Sequence, residues 1–540
     1  MNNPPRSGSD PFDVAVIGAG VVGSAIARAL SGYQLDVALL DARRDVGDGT
    51  SKANTAILHT GFDATPGTLE SRLVREGYRL LREYAQRTGI PYEPTGAVLV
   101  AWDEEQLAAL PGLREKAERN GYRETELIDA DEVYRMVPAL GPGVLGGLTV
   151  PDESIICTWT TSLALATDAV NRGTRLLRSH RVESVSPGDG HTVLHTGAGE
   201  VRARWVVNAA GLGSDALDAR FGFDRFHLNP RRGELLVYDK QARPLADRIV
   251  LPVPSKLGKG VLISPTIYGN VMLGPTAEDL TDRTDSSTTE EGYAFLLEKG
   301  ERIMPELLRE EVTAAYAGLR AASDVPDYTV EVSAERRYAV AGGIRSTGLT
   351  SAMAVAEYLV GLLGEAGLPL TERPELPEPP VMPNIGEAAL RPYQDAERIA
   401  RDPEYGAVTC FCERVTRGEI RDALRSTIPA RDLGGLRRRT RAMNGRCQGF
   451  YCGAEVTGML EDALREAGPE TEPPTPHPTA TGSAAASGSG GCACHEAGTP
   501  CREAGEPPSA RPAQTPQPPR TRPGGRTTDT TGTTGREGTR

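Results

Sequence analysis

Four cysteines in this chain are spaced to hold a metal. Cys410 and Cys412 lie in GAVTCFCERVTRGEI, Cys447 and Cys452 in NGRCQGFYCGAEV, with thirty-four residues between the pairs. The first pair is C-x-C, the second C-x-x-x-x-C, and before residue 491 the chain has one other cysteine, Cys157. Close thiolate pairs suit an iron–sulfur cluster with four sulfur ligands, or a single tetrahedral zinc ion. The segment in front of them favours redox chemistry. Residues 13–17 (DVAVI) form a short apolar run of the kind found in a buried parallel strand, and Gly18-Ala19-Gly20-Val21-Val22-Gly23 follows, continuing as a helix from Ser24 to Leu30. Gly18 permits the tight turn, Gly20 lets the backbone approach a pyrophosphate, and Gly23 lets helix and strand pack closely. The pyrophosphate then rests on the unpaired N–H groups of the helix N-terminus. A second apolar run, Val37 to Leu40, ends in Asp41, twenty-three residues past Gly18, where a carboxylate binds the ribose hydroxyls.

The same glycine spelling recurs at Gly141-Pro142-Gly143-Val144-Leu145-Gly146, but it follows Pro138 rather than a strand and has Pro142 inside the loop. It is read as a turn. With one credible fingerprint, the chain lacks the paired dinucleotide domains of enzymes whose flavin is reduced by nicotinamide. The pattern is that of a flavoprotein holding FAD, whose electron donor is a small molecule entering the flavin site directly.

The elements that must position these groups fit a chain of 540 residues, long enough for two or three domains. Apolar content of 39% and charged content of 25% suit a globular protein with a polar appendage, and a net charge of -13 argues against nucleic-acid binding. No run of eighteen apolar residues exists, and MNNPPRSGSDPF lacks the apolar core of a secretory signal. One isolated cysteine ahead of the thiolate pairs implies no disulfide framework, so a reducing, cytoplasmic setting is expected. Residues 11–370 are expected to form one α/β unit with strands near 97–102, 205–208, 234–238 and 261–264, and helices near 68–88, 104–119, 158–172, 290–303 and 350–363. The fold class predicted is a Rossmann-type cofactor domain, discontinuous in sequence, with an inserted antiparallel-sheet substrate domain. Residues 371–400 are a linker whose proline-rich start is expected to be stiff and exposed, keeping two cores apart. A small helical cysteine domain (401–466) follows, with the capping-box spelling Thr416-Arg417-Gly418-Glu419 at a helix start. Arg437, Arg438, Arg439 and Arg441 are expected on a solvated face, with docking of an acidic redox partner as the alternative. Residues 467–540 are too polar to fold and are expected to be disordered. Cys492, Cys494, His495 and Cys501 within them are expected to make an adventitious or weak metal site, with a structural metal as the alternative.

Two family resemblances sharpen this reading. The GRCQGFYC segment and its spacing to Cys410 and Cys412 resemble the 2Fe-2S domain of bacterioferritin-associated ferredoxin. SKANTAILHTGFD (51–63), PRRGELLVYDK (230–240), SPTIYGNVMLGPTA (264–277), YAGLRA (316–321) and GGIRSTGLTSA (342–352) occur in order. Together they resemble the FAD-dependent glycerol-3-phosphate dehydrogenases and oxidases of the glycine oxidase/D-amino-acid oxidase superfamily, over residues 12–365. The two domains in this order are similar to the large subunit of the anaerobic glycerol-3-phosphate dehydrogenase.

The resemblance implies site residues. His59 becomes the base that takes the hydroxyl proton of a secondary alcohol while the hydride leaves for the flavin; imidazole titrates near neutral pH and suits that task. Lys259 and Arg320 become the cations that hold an anionic substituent, with Lys256 a competitor to Lys259 and with Ser346 and Thr55 as polar contacts. Cofactor contacts fall on Thr50, Ser51, Ile57 and Leu58, on Val182, Asn208 and Gly211, and on Ile344, Arg345 and Thr350, although Arg345 also suits substrate. The expected reaction converts sn-glycerol 3-phosphate to dihydroxyacetone phosphate. Electrons pass to an acceptor such as quinone through electron-acceptor or membrane-anchor subunits, which would hold the chain at the inner face of the membrane. A 2-hydroxy acid such as L-2-hydroxyglutarate, or an amine, is the alternative donor. A non-catalytic electron-transfer subunit is the alternative of another class.

Overall fold

The computed structural model describes residues 10–254 and 260–468. The apolar strand Phe12–Ile17 lies at the centre of an eight-stranded sheet, parallel to Val37–Leu40 on one side and to Gly199–Asn208 on the other. Arg175–Leu177 and Tyr338–Gly342 extend the parallel part outwards, and Thr329–Ser333 closes one edge antiparallel. Its strands are drawn from residues 12 to 342, so the cofactor sheet is discontinuous in sequence. The helix Val21–Leu30 leaves the first strand through the glycine loop and packs against the helices Thr158–Asn171 and Gly348–Glu365. Gly18 has φ +107°, and a Cβ there would lie 2.4 Å from the Ala209 carbonyl oxygen; a Cβ at Gly23 would lie 1.8 Å from that of Gly18. No side chain fits at either position.

A second, nine-stranded sheet is the inserted layer. Leu228–Tyr238 and Val312–Ser323 pair antiparallel along their length, followed by Val271–Gly274, Leu262–Pro265 and Ile249–Pro252. Every pairing in it is antiparallel but one, Ile249–Pro252 against Ala97–Ala101, two segments joined by no hairpin. Alternation along Ala97–Ala101 sends Ala97, Leu99 and Ala101 into the large core shared with the nucleotide sheet, and Val98 and Val100 into a second core. Leu236, Leu273, Leu296 and Met304 complete that second core. The helices expected from periodicity are present at Leu69–Thr88, Glu104–Arg119, Thr158–Asn171, Glu290–Ile303 and Gly348–Glu365. Residues 141–145 are irregular with a bend at Pro142, and a strand rather than a helix follows them.

The cysteine domain has its own core of Val415, Ile420, Leu436, Val456 and Leu460, under the helices Arg417–Arg425, Leu433–Thr440 and Gly453–Ala467. Its first helix starts on the expected capping box, Thr416 and Glu419 each bonding the other's backbone N–H. Two expectations fail. The proline-rich spacer does not hold two cores apart: flavin and cysteine parts pack as one compact unit. Arg373 donates its N–H to Gly32 and its guanidinium to the Tyr33 and Leu35 carbonyls, and Met382 N bonds Thr88 O. Prolines stiffen the segment, but the arginine and methionine among them pin it down. Nor do the arginines line a solvated face. Arg439 and Arg441 have side chains 4% and 1% exposed, paired with Asp45 and with Glu413 and Glu387. A charge run looks solvated from sequence when its carboxylate partner stands nearly four hundred residues away, as Asp45 does from Arg439.

Candidate functional site

The glycine loop and the segment after Asp41 form one cradle. Asp41 Oδ2 accepts from Ala19 N at 2.7 Å and Oδ1 from Arg43 N at 2.8 Å. Burial, outweighing those bonds, raises its carboxyl above the usual range. Gly20 caps the helix Val21–Leu30 without a side-chain cap, and Ser51 Oγ accepts from Val21 N at 3.0 Å. The cradle fits a dinucleotide: backbone N–H groups at a helix N-terminus, a carboxylate at the end of the next strand, and glycines where a Cβ would collide. Asn208 is fully buried, its amide held by Ser214 O and Tyr338 OH while its Oδ1 takes Ala210 N, so it shapes the turn at Gly211. Val182 opens the strand Val182–Pro187 beside that turn, its carbonyl held by Arg220.

His59 follows the short strand Ile57–Leu58, whose side chains are buried. Its backbone N–H donates to Thr350 Oγ1 at 3.0 Å, joining two segments 291 residues apart. Its ring Nδ1 lies 3.1 Å from Glu153 Oε2. Glu153 is fully buried, and its other oxygen accepts from the backbone N–H and hydroxyl of Thr60. An ionised carboxylate only accepts, so the contact makes Nδ1 the donor and leaves Nε2 as the basic nitrogen. Nothing in the sequence singles out Glu153, which stands in PDESIIC next to Asp152 and one residue ahead of the apolar pair Ile155 and Ile156.

Arg320 sits on Val312–Ser323, on the same sheet face as Tyr316 and Gly318. That face covers the loop before His59: Tyr316 OH donates to Asn54 O at 2.9 Å, and a Cβ at Gly318 would lie 2.3 Å from Ala53 O. Thr50 Oγ1 bonds Leu319 O on the same strand. Gly233 makes room for the guanidinium, since a Cβ there would lie 2.7 Å from an Arg320 nitrogen. Arg320 bonds the Thr276 carbonyl, and no carboxylate pairs with it among the described residues. Burial, then the neighbouring Arg231, lowers its pKa, as for a cation lacking an anion. Thr55 is half-buried in the loop before His59, and Ile344 is half-buried ahead of the helix Gly348–Glu365. Ser346 is exposed beside it, and Arg345 commits its guanidinium to the Val325 and Pro326 carbonyls. Lys259 and Lys256 lie outside the described residues, as do the cysteines of the tail.

The four expected ligand cysteines come together. Cys410 and Cys452 are buried, Cys412 and Cys447 partly exposed, and none is in a disulfide. Cys412 and Cys447 feel one another electrostatically, as do Cys410 and Cys452, and Cys410 and Cys447 also act across the two pairs. Among the described residues no three His, Cys, Asp or Glu side chains are grouped closely enough to hold a metal ion. The Tyr451 amide, helped by those of Gly449 and Phe450, lowers the Cys447 thiol below its ordinary value. Burial, then Cys410, pushes Cys452 up to about 12. Thiols so placed surrender their protons to a bound cation, and the donor set fits an iron–sulfur cluster. Phe411, Phe450 and Tyr451, interleaved with the ligands, are 73–83% exposed.

Residues 13–362 match the DAO family of FAD dependent oxidoreductases, and residues 408–462 match the BFD-like [2Fe-2S] binding domain. The glycerol 3-phosphate dehydrogenase of Caloramator mitchellensis is 35% identical over 455 residues, covering 84% of this chain and 94% of that protein. The mitochondrial L-2-hydroxyglutarate dehydrogenase of Caenorhabditis elegans is 29% identical over 332 residues, 59% of this chain and 73% of that one. The structure of dithionite reduced L-alpha-glycerophosphate oxidase from Mycoplasma pneumoniae with FAD bound superposes with a TM-score of 0.66 at 27% identity, covering 69% of this chain and 99% of the other.

Proposed function

The chain belongs to the DAO family of FAD dependent oxidoreductases and carries a BFD-like [2Fe-2S] binding domain behind it; from that premise we propose that it oxidises sn-glycerol 3-phosphate to dihydroxyacetone phosphate. The Gly18–Gly23 loop would hold FAD, with Asp41 for its ribose and residues 50–58 and 344–350 for the flavin end. Cys410, Cys412, Cys447 and Cys452 hold the 2Fe-2S cluster. When bound, FAD accepts the hydride from the alcohol carbon and the cluster carries single electrons onward.

The protein's own residues do the rest. His59 Nε2 takes the hydroxyl proton, and Glu153 holds the ring in the tautomer that leaves Nε2 free and stabilises the imidazolium that results. Arg320 draws the substrate's phosphate to the sheet face over the Ala53–Asn54 loop by paired charge-assisted bonds. The observation that carries the proposal is this pairing of a carboxylate-held imidazole with a half-buried arginine that has no carboxylate partner among the described residues. The exposed aromatics beside the ligand cysteines offer an electron acceptor, such as a quinone-reducing subunit, an apolar place to dock.

The second reading keeps the site and changes the donor to a 2-hydroxy acid. The likeness to an L-2-hydroxyglutarate dehydrogenase supports it, and Arg320 binds a carboxylate as readily as a phosphate. Anaerobic titration of the oxidised protein with glycerol 3-phosphate, glycerol and a panel of 2-hydroxy acids, following flavin bleaching, decides between them. Bleaching by glycerol 3-phosphate at the lowest concentration supports the first reading. Preference for a 2-hydroxy acid replaces it, and bleaching by none removes the enzyme reading.

A further inference from the structure

The segment from Asp41 to Ser51 spans the cradle from end to end. It starts at the carboxylate that holds Ala19 N and finishes at the hydroxyl that accepts from Val21 N; between them, Gly47 N donates to Ala19 O at 2.8 Å. At its middle stands Asp45, 1% exposed. Within its own segment Asp45 gains one bond, from the adjacent Val46 N–H. Its strong partners come from the cysteine domain. Arg439 makes two parallel bonds of 2.7 Å to the two carboxylate oxygens, and Arg438 adds another of 2.7 Å to Oδ2. The other arm of Arg438 reaches Asp48 at 2.7 Å. Arg439 is itself satisfied by the Ile428 and Gly435 carbonyls, so the pair is fully bonded within the interface. Burial would raise the Asp45 carboxyl, yet the two guanidiniums hold it below the usual range.

The helix that carries these arginines, Leu433–Thr440, runs directly into the ligand loops. Arg441 ends it in a left-handed conformation, φ +70°. The Arg441 guanidinium binds Glu413, the neighbour of Cys412, and reaches the Ile385 and Tyr268 carbonyls; Cys447 follows six positions later. One short helix is thus fixed at one end by the ligand loops and grips the cradle segment along its side.

We propose that Arg439, assisted by Arg438, is a positioning residue for FAD: it fixes the 41–51 segment through Asp45, and it does so in full only while a cluster holds the ligand loops, so that FAD and cluster bind cooperatively. This rests on the reading that the segment bears FAD. The coupling is reciprocal, because each group stabilises the same arrangement of helix and segment.

The test uses the full chain. FAD dissociation constants are measured by flavin fluorescence for the unaltered protein, Cys447→Ser, Arg439→Lys and the double variant, with cluster absorbance recorded for each. Cys447→Ser and Arg439→Lys should each weaken FAD binding by about 10-fold, within the usual range of coupling between sites, and the double variant should be no weaker than the weaker single one. Arg439→Lys keeps the charge and loses the two-pronged geometry; normal cluster absorbance shows that it is folded. As a readout that a merely structural role would not move, saturating FAD should slow chelator extraction of iron from the unaltered protein and fail to do so in Arg439→Lys. Unchanged FAD affinity in Cys447→Ser, or losses that multiply in the double variant, overturns the proposal. Gly20→Val tests the underlying reading separately: normal FAD binding there shows that the segment is not the FAD site. FAD lost in Gly20→Val but kept in the other variants defeats the coupling alone.

Discussion

The flavin cradle and the dock of the cysteine domain are built by opposite means. The cradle is a matter of missing atoms: at Gly18 and Gly23 backbone approaches backbone so closely that a single Cβ is excluded. The dock is a matter of added charge: Arg439 and Arg441 are buried, and Arg438 half-buried, against Asp45, Glu413 and Glu387. The first is spelled mainly in the six residues Gly18 to Gly23, although Ala209 closes on Gly18 from far along the chain; the second is written across almost the whole chain. A site made of backbone tolerates nothing larger, whereas one made of ion pairs tolerates removal of both partners and punishes removal of one.

The largest expected effect tests the cradle. Gly23→Val has no room beside the Gly18 carbonyl and should yield protein with no bound FAD, judged by absorbance after purification. Asp45→Ala should be next, leaving the Arg439 guanidinium buried without its carboxylate while Arg438 keeps Asp48, at a cost of about 3–5 kcal/mol in unfolding free energy. If Asp45→Ala and the paired change Asp45→Ala with Arg439→Met are equally destabilised, the dock is not held by this ion pair. His59→Asn should keep FAD while single-turnover flavin reduction falls by about 100-fold or more, with Glu153→Gln falling less. Arg320→Ala should weaken substrate binding by about 1.5–3 kcal/mol with flavin content unchanged, and equal affinity for glycerol and glycerol 3-phosphate in the unaltered protein would remove the phosphate role.

The smallest effect is a pH dependence peculiar to the dock. Burial opposes ionisation of Glu387, but Lys240, Arg441 and Arg391 bring it down to about 2. A depressed carboxyl contributes stability above its unfolded value of about 4.3, and that contribution disappears as pH falls towards the folded value. Thermal melts between about pH 4.3 and 2 should therefore fall less steeply for Glu387→Gln than for the unaltered protein. Asp41 in the cradle, raised by burial, contributes with the opposite sign, its stabilisation being lost as pH rises.

The same contrast explains what the sequence discloses. Helices such as Leu69–Thr88 and Thr158–Asn171 are periodic, the glycine loop is spelled out in six residues, and the cysteine spacing is local within each pair. Asp45 lies in DARRDVGDG, where nothing distinguishes it from a solvated loop acid, and its burial depends on a helix that begins at Leu433. Glu153 is hidden for a related reason: its partner His59 is ninety-four positions away, and only the fold makes them neighbours. The spacer misleads because proline content speaks of stiffness and is silent on what Arg373 and Met382 touch.

The strand Ala97–Ala101 carries one more consequence. Because its alternate side chains belong to two different cores, it acts as a keel common to the nucleotide sheet and the substrate sheet. The two sheets cannot swing apart like a clamshell without tearing that strand from one side or the other. Entry of substrate and departure of product are therefore expected to need only the movement of single loops over a stationary frame.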